Sequence, residues 1–193
     1  VPSPATSEYQ RLQQQLRALT YQDFLRVWPT LDLRDLDGSF PRFAAVAAAA
    51  VVFRTNQSNT LARQYWTRLR AETPPVPPRP VPTDVVTGAL LAASVISVKR
   101  AMTAGRPLEL AGRNALVNTL GTVGNLVTSP ATQMILESTE ADPRTVGWRR
   151  VVRGGCDWCK ALAGPILPAS APMARHRHCG CVPEPVLTSS ASR

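Results

Sequence analysis

All four cysteines and both histidines of this 193-residue chain fall between Cys156 and Cys181. No other feature restricts the fold as much. Cys156 and Cys159 are separated by two residues and follow Gly154-Gly155. After a Gly- and Pro-containing loop come His176, His178, Cys179 and Cys181. Soft ligands crowded into two groups in this way predict one tetrahedral zinc ion. The surrounding segment has too little apolar surface to fold alone, and a metal would hold it together.

Six candidates compete for four positions. The spacing favours Cys156, Cys159, His176 and Cys179, with Cys181 able to replace either of the last two. Adjacent His178 and Cys179 would be strained as joint ligands. A filled set of three cysteines and one histidine leaves no position for water, so the site reads as structural. Catalytic zinc patterns with definite spacing are absent. No His-x-Glu precedes a Pro-Cys-x-x-Cys, as a zinc deaminase requires, and there is no His-Glu-x-x-His. Cys156-x-x-Cys159 lacks the βαβ surround of a thioredoxin-like redox pair. His178 is left over if His176 ligates, which keeps a zinc-associated nuclease as the enzymatic alternative. Paired cysteines without a charged-then-apolar leader favour metal over disulfides.

Upstream, the periodicity is helical. Tyr9, Leu12, Leu16 and Leu19 give one apolar stripe, with Gln13, Gln14, Gln15 and Arg17 on the polar side, so a helix is expected over 8–27. Residues 1–7 read as a mobile lead. Asp32, Asp35 and Asp37 alternate with leucines and arginine, and no glutamate closes a calcium loop. Ser39 is the expected cap of a second helix over 40–71, alanine-rich at its start. That helix carries Arg54, Arg63, Arg68 and Arg70, expected as a solvated face with phosphate contact as the rival reading. Six prolines between Thr73 and Thr83 dictate an extended, stiff linker. Further helices are expected over 85–104 and 107–127, with a restart at Ser129-Pro130 running to about Thr139. Thr145–Arg153 and Cys181–Val186 read as strands, the second at an edge because of its prolines.

The fold class is therefore mainly α, a helical bundle or extended helices with a small C-terminal β-hairpin zinc module. The expected organisation is an N-terminal helical region (1–72), the linker (73–83), a central helical region (84–142), the zinc-binding module (143–187) and a tail (188–193). The longest uninterrupted apolar run, Phe43–Phe53, is short of the roughly 20 residues of a membrane span, so no membrane partner is expected. The net charge is +9. A basic surface of this kind suits DNA, without sequence preference.

One stretch resembles a known family. Trp148, Cys156, Cys159, Leu162, Gly164, His176, Cys179 and Cys181 match the end of phage Mu F-like head-morphogenesis proteins. There a tryptophan-bearing strand is followed by Cys-x-x-Cys, Leu-x-Gly and His-x-x-Cys-x-Cys. The family often has Pro-Asn between the histidine and the next cysteine, where this chain has Arg177-His178. The likeness spans Thr145 to Leu187. It implies a non-enzymatic minor capsid protein inside the virion head, present in several copies. Portal and capsid proteins and packaged DNA would be its partners, with host cytoplasm the place of assembly. The alternatives are a nuclease using His178 and a nucleic-acid-binding regulator.

Overall fold

Ser3 begins the first helix. Its hydroxyl accepts the Thr6 N–H at 3.1 Å, and Pro4 takes the first helical position, where its missing N–H costs nothing. The computed structural model describes residues 1–152, 154 and 157–188. In chain order the elements are α1 (Pro4–Val27), a 3₁₀ turn (Trp28–Thr30), α2 (Leu36–Arg70), α3 (Thr83–Leu91), a π turn (Ala92–Ile96), α4 (Ser97–Thr103), α5 (Leu108–Ala141), β1 (Thr145–Val151), α6 (Asp157–Ala161), β2 (Ile166–Leu167) and β3 (Val182–Leu187). The chain is mainly helical with a small C-terminal antiparallel sheet.

Helix α1 starts earlier than expected, and the lead is held. The Ser3 N–H donates to Glu184 Oε1 at 2.7 Å, and Arg149 Nη2 donates to the Val1 carbonyl at 2.9 Å. The polar side is also different. Gln13 and Arg17 turn inward, while Leu19 is exposed. Gln13 can be buried because Ser58 satisfies it at both ends: its amide donates to the Ser58 carbonyl and its carbonyl accepts the Ser58 hydroxyl.

Helix α2 is capped by Asp35, whose carboxylate accepts the Gly38 N–H, and Ser39 lies inside the first turns. Asp37 pairs with Lys99, so the three early aspartates do not converge on an ion. Three of the four arginines in the second half of α2 are in ion pairs: Arg54 with Asp23, Arg68 with Glu8 and Arg70 with Asp142. Arg63 and Arg68 keep the solvated character expected of the whole set, the Arg68 pair lying at the surface, while Arg54 and Arg70 turn toward the protein. Helix α2 and the α3–α4 segment (Thr83–Thr103) are long and apolar enough, by mean hydropathy, to cross a membrane, although neither holds a long uninterrupted apolar run. Each buries one face against the other helices.

The expected break before Pro130 is absent, and α5 runs through it. An internal proline costs roughly 3 kcal/mol in a helix. Here Val123, Val127, Ala131, Met134 and Ile135 form one fully buried stripe across it. Each large apolar side chain buried contributes about 1.5–3 kcal/mol, which outweighs the local penalty.

The main core joins α1, α2, α3, α4 and α5, with Phe24 and Phe40 against Phe43. A second cluster stacks Tyr9 on Tyr65 at 4.6 Å and extends to Val151 and Val182, so the sheet shares a core with the helices. The sheet has order β2-β1-β3, all antiparallel. The expected hairpin thus gains a third, two-residue strand, too short to leave a pattern in sequence. Strand β3 does lie at an edge, where Pro183 and Pro185 need not donate. Glu184 between them faces Arg149 across the ladder.

Candidate metal centre

The centre is assembled from three local pieces. Strand β1 turns Trp148 fully inward, and its indole N–H donates to the Ala171 carbonyl at 3.0 Å. This ring packs with Leu136, Met173, Cys159, Cys179 and Cys181 as an apolar floor. The second piece is α6, which carries Cys159 inward and leaves Trp158 half exposed. The third is a tight turn, His176–Cys179, closed by the Cys179 N–H donating to the His176 carbonyl at 3.2 Å. At its third position His178 takes the left-handed conformation (φ 62°), which brings the two ends of the turn, His176 and Cys179, together.

Cys159, His176 and Cys179 converge. Their donor atoms lie within 4.8 Å of one another, with the Cys159 sulfur 2.9 Å from His176 Nε2 and 3.9 Å from the Cys179 sulfur. The other ring nitrogen, Nδ1, lies 2.5 Å from the Arg177 carbonyl, which can only accept. That bond places the imidazole proton on Nδ1 and turns the Nε2 lone pair toward the sulfurs, the arrangement a metal-ligating histidine needs. A tetrahedral ion with sulfur at about 2.3 Å and nitrogen at about 2.0 Å sets edges of roughly 3.6–3.8 Å. The sulfur pair already matches, and the imidazole would retreat by about half an ångström. The donor set therefore fits one metal ion.

The remaining candidates divide. Cys181 is buried in the same cluster beside Cys179, outside the three converging donors. A hydrogen bond from the Cys181 thiol, above all, pushes Cys179 toward its thiolate, and the same contact holds the proton on Cys181. His178 points away. Its Nδ1 meets the Tyr21 hydroxyl at 3.2 Å, and its Nε2 edge lies over Gly121 of α5. Burial, then the charges of Arg17, Arg177 and His176, lower its pKa. Cys156 lies outside the described residues.

Cations surround the centre that the sequence does not single out. Arg150 is buried at 4% exposure, with Nη1 4.0 Å from the Cys179 sulfur and its guanidinium over the Trp158 ring. Arg175 donates to Thr128, Thr132 and the Cys179 carbonyl. Arg177 reaches Asn118, and the Asn125 amide donates to the His176 carbonyl. The turn is thus pinned along α5. The alternation of β1 could have turned Arg150 inward with Trp148. Nothing local marks Arg175.

Fold and site together define a mainly helical protein with a small sheet and a Cys/His cluster that could hold one metal ion. The VG15 protein family matches residues 1–192, and this chain belongs to that phage protein family. No curated protein and no solved structure matches it.

Proposed function

We propose that this chain is a structural minor capsid protein of the Mu F-like head-morphogenesis type, acting at the portal vertex or inner capsid of a tailed phage. The observation that supports it best is the burial together of Trp148, Cys159, Cys179 and Cys181, with His176 at their side, the residues behind the resemblance. Membership of a phage family over nearly the whole chain agrees with it.

Zinc is the metal we assign. Two cysteine sulfurs and an imidazole nitrogen are the donors it takes in closed structural sites. Cys156 or Cys181 would complete the set. Bound there, zinc supplies folding free energy by tying α6 to the His176–Cys179 turn. The +9 charge suits contact with packaged DNA, several copies acting together inside the head. The nuclease alternative draws no support from His178, whose recorded partner is the Tyr21 hydroxyl.

Mass spectrometry of purified virions, together with co-purification of the tagged chain with the portal protein, tests this reading. The chain should be present in particles and should follow the portal. Its absence from virions would overturn the assignment. Metal-dependent DNA cleavage lost in His178→Ala would overturn the non-enzymatic part.

A further inference from the structure

A buried arginine and a half-buried one meet at one hydroxyl. Arg17 on α1 extends Nη2 to within 3.4 Å of Thr128 Oγ1 and of the Gly124 carbonyl. Arg175, from the loop, donates its own Nη2 to the same Thr128 Oγ1 at 2.7 Å and Nη1 to Thr132 Oγ1 at 3.1 Å. The Thr128 hydroxyl spends its proton on the Gly124 carbonyl at 2.9 Å, so it accepts from both guanidiniums. None of these partners is an anion. Among the described residues, every ion pair of an aspartate or glutamate is made with some other cation.

This arrangement is costly as it stands. Arg17 is only 9% exposed, and the Arg175 Nε–H is buried with no acceptor. A buried lysine or histidine in this position would shed its proton. Arginine does not, because its pKa stays above about 12 in proteins. Two like charges that cannot neutralise themselves need a negative partner. The Cys179 side chain attracts and accepts from Arg175, which also reaches its backbone carbonyl, but a metal ion held by that sulfur would draw the thiolate charge away, and among the described residues Arg17 is in no ion pair. Both arginines line a half-open cavity of about 20 Å³, walled also by Tyr9, Gln13, Gln14, Cys179 and Cys181. That is room for one water-sized or halide-sized particle.

We propose that this cavity binds a single anionic atom, either a free halide or one oxygen of a phosphate group, between Arg17 and Arg175. The site adjoins the metal centre through Cys179 and Cys181, and it stands whether or not the chain is a capsid component. It also gives Thr128 and Thr132 a reason to sit side by side on the buried face of α5: they fix the two forks without competing for the anion.

The test uses the full chain and follows thermal unfolding as chloride replaces gluconate at constant ionic strength. Inorganic phosphate is then titrated in the same way. A saturable rise of about 3–6 °C at tenfold excess over Kd is expected. Arg17→Met should abolish the response and, in gluconate, unfold no lower than the parent, because one of two repelling charges is gone. Arg175→Met should behave alike, with metal content measured in parallel because His176 adjoins it. Should either variant fail to fold, line broadening of the chlorine NMR signal by the parent, reversed by phosphate, reads the same site. Competition between a short DNA duplex and phosphate would assign the anion to a backbone phosphate. No competition would assign it to the free ion, and the site stands in both cases. A melting temperature indifferent to chloride and phosphate at fixed ionic strength would overturn the proposal. So would an anion response that survives in both variants.

Discussion

Replacing Glu184, the one carboxylate in the three strands, should destabilise the fold. Glu184 is 3% exposed on an edge strand, yet it holds three donors, from the start of α1 and from β1. Oε1 accepts the Ser3 N–H at 2.7 Å and the Thr6 hydroxyl at 2.8 Å, and Oε2 accepts Arg149 Nε at 2.6 Å. Thr6 in turn meets the Tyr65 hydroxyl at 2.9 Å. Glu184→Ala strands all three donors. A charge-assisted bond contributes about 1.5–3 kcal/mol and a neutral one about 1 kcal/mol. The Arg149 side chain is 35% exposed, so solvent can recover part of its share. The sum is about 3 kcal/mol for Glu184→Ala and about 1–2 kcal/mol for Glu184→Gln, which keeps the shape and loses the charge. Burial pushes the carboxyl up, but the bonds from Ser3, Arg149 and Thr6 together outweigh it and hold the group below the usual range. A carboxylate lowered in this way stabilises above its unfolded value, about 4.3, and loses that contribution as pH falls through the lower folded value. Urea unfolding at pH 7 and below pH 4 measures both effects. The gap between parent and Glu184→Gln should narrow in acid. An Ala variant within about 0.5 kcal/mol of the parent, the scatter of ordinary surface changes, would refute the reasoning, as would a gap that ignores pH.

Three further outcomes follow from the same structure. His176→Ala should lose the metal ion, read by metal analysis after gel filtration, because its Nε2 faces the two sulfurs. Asp142→Ala should cost about 3–5 kcal/mol in chemical unfolding, since it leaves Arg70 buried at 6% without its partner; Glu72→Ala, at the exposed Arg144 pair, should be near silent. Trp148→Ala should lose about 3–5 kcal/mol and weaken metal binding, because the ring is the floor beneath three cysteines, whereas Trp148→Phe should keep most of both.

Much of this was legible in sequence where one interaction dominates. The proline linker, the helical periodicity, the edge character of β3 and the crowding of thiols and imidazoles each follow from local chemistry. The failures occur where tertiary packing overrides it. Pro130 is carried through α5 by a stripe that continues on both sides. Gln13 and Arg17 look like surface residues until Ser58 and Thr128 supply buried partners. Ser39 has the composition of a cap, but Asp35, four residues earlier, reaches Gly38 first. Arg150 follows Trp148 inward by the alternation of β1, but Arg175 is an ordinary arginine until the fold sets it beside Cys179, and no pattern of period 2 or 3.6 encodes that.

The two histidines are the sharpest case, because they differ by position in a turn and not by kind. A four-residue turn that needs φ above zero at its third residue favours glycine or asparagine there and tolerates proline at its second. The family resemblance has Pro-Asn at these two places; this chain has Arg177 and His178, with His178 at φ 62°. His178 therefore occupies a turn position, and its bond to Tyr21 is a secondary gain. If so, His178→Asn should retain the metal ion and match or exceed the parent in stability, the relief of left-handed strain, about 1 kcal/mol, offsetting one partly exposed hydrogen bond. His178→Val should lose stability and loosen the metal, because a β-branched residue resists this conformation and would swing Cys179 away from Cys159. Metal content and unfolding of the pair separate the two roles. An Asn variant without metal would make His178 a ligand after all and would move the centre toward α1 and Tyr21.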